Sequence, residues 1–319
     1  MLPGVERSVI QRRRLTALAA VAALSLAAGV LAGAGGGPGP DGGEGPAAEA
    51  RTAKAPPRPQ LPGGGRRIFP DRRIVAFYGN PRDKELGALG IGTPSHAGRR
   101  LLRQARPYER RTRRVLPAME LISTVATFAP GPSGLYRDRA PAATIRRYLR
   151  AARRIHALLV LDIQPGRGQF GPEIERLKRW LREPDVGLAL DPEWHVGPGE
   201  VPGQVIGQTD ADVVNAAADY LSRIVREHDL PQKLLLVHRF TDGMIARDER
   251  LQAFPGVATV INVDGFGSQT VKVAKYNNFI RRTPRLGRGF KLFYKEDLHT
   301  MRPAQVLALR HPPDVVVYE

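Results

Sequence analysis

The stretch "LALDPEWHVG", residues 188–197, places Asp191, Glu193, Trp194 and His195 directly after an apolar run. If that run is a β-strand continuing past Leu190, side chains 191, 193 and 195 point the same way, because strand alternation has a period of two. Asp191 and Glu193 then face one cavity. Two neighbouring carboxylates resist ionising together, which raises the pKa of one of them. A carboxylic acid kept protonated near neutral pH is the group that protonates the leaving oxygen of a glycosidic bond. Glu193 is therefore the expected general acid and Asp191 its modulator. Pro192 and Trp194 would point elsewhere, with Trp194 free to swing onto a sugar ring. The competing reading is structural: Asp191-Pro192 starts a turn and Trp194 packs on a wall.

Polar residues recur at the ends of the other apolar runs. Tyr78 and Asn80 follow "RIVAFYG", Glu120 lies in "AMELIS", and Asp162 and Gln164 lie in "LVLDIQPGRG". His238 and Arg239 end "KLLLVHRF", Asp264 ends the run in "NVDGFG", and Tyr294 to Asp297 and then Tyr318 and Glu319 end the last two. A single Asp after a strand is a turn former, but acids converging at one end of an apolar scaffold are costly to bury without a task. Asp264, Glu120 and Asp162 are the candidates for the second carboxylate of a glycosidase. Tyr78, Gln164, Trp194, His195, His238 and Tyr294 are the expected substrate contacts, with Phe128, Tyr136 and Phe266 as further stacking platforms.

The same residues admit a second chemistry. Asp162, Asp191, Glu193, His195, His238 and Asp264 would suit a divalent ion carrying a nucleophilic water. The chain has no His-x-His or His-Glu-x-x-His spacing, so no metal or other cofactor is expected, although tight convergence of Asp and His on one point would favour the metal. A third possibility is a non-catalytic wall-binding protein that keeps the cleft without the chemistry. Nothing resembles a phosphate-binding loop leading into a helix or a Gly-x-Ser-x-Gly elbow, which sets nucleotide binding and serine hydrolysis aside.

"VGLALDPEW" resembles the fourth-strand signature of the family 18 chitinase-like glycoside hydrolases, Asp-Gly-x-Asp-x-Asp-x-Glu, with Asp191 and Glu193 at its final Asp-x-Glu. The resemblance implies Glu193 as proton donor and Asp191 as the carboxylate that orients a substrate acetamido group. Val186 and Ala189 stand where the family has its first two aspartates, and Pro192 stands at an often aromatic position. A similar short Asp-x-Glu follows the fourth strand of other wall-lytic barrels such as family 25 lysozymes.

The elements that would hold these residues repeat one rhythm: a short apolar run, a Gly/Pro/Asp loop, then a segment with helical spacing. Runs at 73–79, 115–125, 157–164, 186–191, 233–240, 257–265, 290–296 and 314–319 mostly lack polar alternation, as strands buried on both faces do. Helices are expected at 94–108, 141–155 and from Pro172, each with Pro at its first position. Others follow after a Thr209/Asp212 capping box and at 246–254, 268–282 and 303–310. Eight strands and seven helices predict an α/β fold, a (β/α)8 TIM barrel over 67–319. It lacks an obvious final helix, so the segment 66–72 or a partner would cover the gap. An open doubly wound sheet is the alternative.

Ahead of the barrel, Arg12 to Arg14 precede an uncharged Ala-rich stretch, 15–34, which reads as a signal peptide or, uncleaved, as a membrane anchor. Residues 35–66 are Gly- and Pro-rich and read as a disordered linker. An exported protein is expected, secreted or held at the outer face of the cytoplasmic membrane. The 319-residue chain contains no Cys, which excludes disulfides, thiolate metal sites and a lipidated Cys. Its net charge of +18 is mostly Arg, densest over 98–114. An Arg-, Ala-, Gly- and Pro-favouring codon bias explains much of it. The functional reading is attraction to anionic envelope polymers or lipid head groups. No nucleic-acid motif accompanies the charge, and a cell-wall polysaccharide is the expected partner.

Overall fold

The computed structural model describes residues 57–319; the expected signal or anchor segment, 1–34, and the expected linker up to residue 56 lie outside the described residues. Eight parallel strands close on themselves. They are β1 (Arg72–Gly79), β2 (Arg114–Ala126), β3 (Leu158–Ile163), β4 (Val186–Leu190), β5 (Lys233–Arg239), β6 (Val257–Val263), β7 (Gly287–Leu292) and β8 (Val315–Tyr318). Each pairs with its neighbours in chain order, and β1 pairs with both β2 and β8. Closure excludes the open sheet and establishes a TIM-barrel fold. A three-residue antiparallel strand, Arg137–Arg139, extends β2 on the outside.

Alternation along the strands sorts the core in two. Ile74, Ala76, Leu116, Ala118, Leu158, Val160, Leu234, Leu236, Val260, Val315 and Val317 fill the interior. Their neighbours, such as Val75, Met119, Leu161, Val237 and Val316, face the helices. Both faces are buried, which is why the strands read as unbroken apolar runs. The helices are α1 (Pro94–Ala105), α2 (Ala142–Arg154), α3 (Phe170–Leu181), α4 (Ala211–Glu227), α5 (Gln269–Arg282) and α6 (Pro303–Leu307). Thr93 caps α1 by accepting from the His96 amide, and Ser268 caps α5 by accepting from the Val271 amide.

Several boundaries differ from expectation. Helix α3 begins at Phe170, two residues before Pro172. The cap of α4 is Asp210, whose side chain accepts from the Asp212 amide, in place of Thr209. No α-helix forms over 246–254. Arg247 is left-handed at φ 55°, and Asp248 is pulled into ion pairs with Arg239 and Arg282, leaving one 3-10 turn at Asp248–Arg250.

Residues 57–66, counted with the linker on composition, pack on the barrel. Leu61 is buried, its amide donates to the Gly65 carbonyl, and Arg66 donates to the Pro59 and Leu230 carbonyls. Leu61 and Ile68 belong to the interior core and cover the end of the barrel where the strands begin. Cover for β8 comes from α1. The 3-10 turn Arg106–Tyr108 that extends α1 brings a fully buried Tyr108 against β8, its hydroxyl 2.6 Å from that of Tyr318. Among the described residues, no helix is long and apolar enough to cross a membrane.

Candidate active site

Above the apolar layers, the interior positions nearest the C-terminal strand ends are polar. Tyr78 (β1), Glu120 (β2), Asp162 (β3), Asp191 (after β4), His238 (β5), Asn262 and Asp264 (end of β6) and Lys291 (β7) are all buried there, with Glu319 after β8 beside them. In a TIM barrel this is the end where chemistry is done. A wall of bare glycine helps: a Cβ at Gly289 would lie 2.7 Å from both Cα and Oδ1 of Asn262, so glycine there lets β7 close on β6.

His238 is the hub. Its Nδ1 lies 2.9 Å from Asp264 Oδ2, and its Nε2 lies 2.9 Å from Glu120 Oε1 and 3.8 Å from Asp162 Oδ2. Asn262 Nδ2 approaches Nδ1 at 3.4 Å, and the Tyr78 ring packs 5.6 Å from the imidazole. Lys291 Nζ pairs with Asp264 at 3.0 Å and Glu319 at 2.7 Å and sits 3.8 Å above the Tyr78 ring. Asp191 forms a separate corner: the Tyr78 hydroxyl donates to its Oδ2 at 3.3 Å and the Gln164 amide at 3.4 Å. Gln164 is itself held, donating to the Tyr78 oxygen and accepting from the Ala126 amide.

Electrostatics separates these groups. Burial works against a charged His238, as does Lys291, but Glu120 and Asp264 outweigh both and raise its pKa well above the ordinary value. Burial also opposes a charged Lys291, yet Asp264 and Glu319 hold its pKa well above normal. Burial alone would raise Asp264, but Lys291 and His238 keep it below the ordinary carboxylate range. Asp162, Asp191 and Glu319 shift the other way, each raised first by burial. One barrel mouth thus holds carboxyls that favour a proton beside one that favours its charge.

The residues singled out in the sequence divide accordingly. Asp191, Asp264, Asp162, Glu120, Tyr78, Gln164 and His238 converge in this layer. The alternation expected over 191–195 is absent: β4 ends at Leu190, and Pro192–Trp194 form a 3-10 turn. Proline restricts the residue before it and donates no hydrogen bond, and the turn is sealed by the Gly207 amide donating to the Glu193 carbonyl at 2.7 Å. A side chain has no room at Gly207, where a Cβ would meet three carbonyl oxygens within 2.6 Å. Glu193 and Trp194 therefore sit half-buried on a turn beyond β4. His195 leaves the interior, its Nδ1 against the Gln208 carbonyl and its ring on Phe170. Tyr294 is an exposed rim residue stacked on Tyr318. Arg239 points outward to Asp248 and the Phe279 ring, a structural role. Sequence reasoning missed Lys291, which alternation would have found, since it shares its face with Gly287 and Gly289.

The chain matches no protein-family model and no curated protein closely enough to indicate kinship. What the site does is therefore read from its geometry.

Proposed function

We propose that the barrel is a glycoside hydrolase acting on a cell-envelope or extracellular polysaccharide by carboxylate acid/base catalysis. The observation that carries this reading is the placement of Asp191. It directly follows the fourth strand at the barrel mouth, fixed by Tyr78 and Gln164, where burial favours the protonated acid. Asp264, across the layer and paired with Lys291, supplies the second carboxylate. In this scheme Asp191 protonates the leaving glycosidic oxygen, and Asp264 faces the positive charge developing at the sugar. Glu193, on the turn beyond β4, is the rival donor.

The test is reducing-end release by the full-length chain on peptidoglycan, chitin oligomers, α- and β-glucans and wall arabinans. Asp191→Asn and Glu193→Gln are measured beside it. Release by the wild type that falls at least about 100-fold in Asp191→Asn is expected, the size of a general-acid contribution. Release lost only in Glu193→Gln reassigns the acid. No release from any glycan by the folded wild type overturns the proposal and leaves a wall-binding barrel.

A further inference from the structure

Glu120, Asp162 and His238 are more than members of a polar layer. They come from β2, β3 and β5 and present one donor atom each, all within 4.8 Å of one another. Bond lengths of about 2.0–2.2 Å to oxygen and nitrogen ligands separate donor atoms by up to about 4.3 Å, so a small inward adjustment would let all three reach one ion. Asp162 is fully buried, yet neither of its carboxyl oxygens has a hydrogen-bond partner, and Glu120 Oε2 is equally bare. A bound proton would remove the charge of Asp162 but would itself need an acceptor, and the other oxygen would still need a donor. A cation satisfies both oxygens at once.

The histidine is arranged for the same end. Asp264, 2.9 Å from Nδ1, is placed to accept the proton there, while Nε2 faces Glu120 and Asp162, where an ion would take the place of the Nε2 proton. A carboxylate behind a ligating imidazole is the usual way a protein fixes ring tautomer and orientation at a metal. The geometry points to a divalent first-row transition ion held by Glu120, Asp162 and His238 Nε2, with Asp264 as the outer support. Two oxygens and one imidazole suit Mn2+ or Zn2+. Ca2+ requires six to eight oxygens, and no thiolate is available for softer ions. This site goes beyond the hydrolase reading, and the two fail separately: one is scored by ion binding, the other by glycan release.

The experiment uses the full-length, untagged chain, stripped with chelator and titrated with Mn2+ while free ion is followed by electron paramagnetic resonance. One Mn2+ per chain is expected, displaced by Zn2+ and unaffected by equimolar Ca2+. Asp162→Asn and Glu120→Gln, near-isosteric changes checked for folding by circular dichroism, should each weaken binding at least tenfold. Spin-echo spectra of the loaded wild type should show nitrogen coupling from one imidazole, which decides the matter even if the variants do not fold. Absence of stoichiometric binding, Mn2+ bound without nitrogen coupling, or folded variants that bind as tightly as the wild type would overturn the site.

Discussion

Glu173 offers the sharpest test of how the mouth is braced. It lies on α3 with a fully buried side chain, and its carboxylate pairs with Arg137 at 2.7 Å, Arg139 at 2.5 Å and Arg176 at 3.3 Å. It also accepts from Thr124 Oγ1, at the bulge where β2 skips a residue against β3. The intervening Ser123 donates to the Asp162 carbonyl, so the cluster ties the outer strand 137–139 and α3 to the strands carrying Glu120 and Asp162. Burial would raise the Glu173 pKa, but Arg139 and Arg137 hold it at about 2 against an ordinary 4.5. Each pKa unit is about 1.4 kcal/mol, so the ionised carboxylate contributes about 3 kcal/mol, or about 2 after allowing for the part-exposed arginines. Because the folded-state pKa is depressed, this stability is fully present above about pH 5 and is lost as pH falls toward 2, with more than half gone by pH 3. Glu173→Gln keeps the shape and removes the charge. It should cost at least about 2 kcal/mol in urea unfolding at pH 7, with the gap to wild type narrowing by half or more at pH 3. An equal gap at both pH values, or one below about 0.5 kcal/mol at pH 7, would refute the assignment of the stability to ionised Glu173.

Two further outcomes follow from the packing and the site. Leu61→Ala should destabilise the barrel by about 2–3 kcal/mol through the cavity it leaves, measured by denaturant unfolding, whereas a residue in a loose tether would cost nothing. Tyr78→Phe removes the hydroxyl that donates to Asp191 and accepts from Gln164. It should cost about 1 kcal/mol of stability and lower kcat on the responsive glycan about tenfold with KM nearly unchanged, and an undiminished kcat would remove Tyr78 from the positioning of the acid.

The barrel was legible because parallel strands buried on both faces leave apolar runs, and eight such runs spaced by helical segments have few other solutions. The polar layer was legible for a related reason: Glu120, Asp162, Asp191, His238 and Asp264 are polar where their runs end. Sequence could not reveal which of them touch. Glu120 and His238 are 118 residues apart and meet at 2.9 Å, and no ligand spacing along the chain signals that convergence. The period-two argument failed at Pro192, where a local backbone restriction ended the strand at Leu190. The helical pattern over 246–254 lost to ion pairs from Arg239 and Arg282, which lie on other elements. Leu61 was hidden by its surroundings, since a composition average over Gly and Pro erases one well-placed leucine.

The charge of the layer constrains whatever occupies it. Among the described residues, five carboxyls, Glu120, Asp162, Asp191, Asp264 and Glu319, share Lys291 and His238 as their nearest cations. In a low-dielectric interior such an excess must be met by protons or by an added positive charge. The upward shifts of Asp162, Asp191 and Glu319 are the proton solution, and on the proposed hydrolase reading it is what would equip Asp191 to give a proton away. A divalent ion among Glu120, Asp162 and His238 is the other solution. The oxocarbenium-like transition state of glycoside hydrolysis, positively charged at the sugar, answers the same excess for the lifetime of the reaction. Both proposals therefore draw on one property, a carboxylate surplus held rigidly by strands, and they differ in depth. The ion would sit on Glu120 and Asp162, which have no solvent exposure, whereas the reacting sugar would meet Asp191 and Asp264, which keep 3 % and 6 % of theirs.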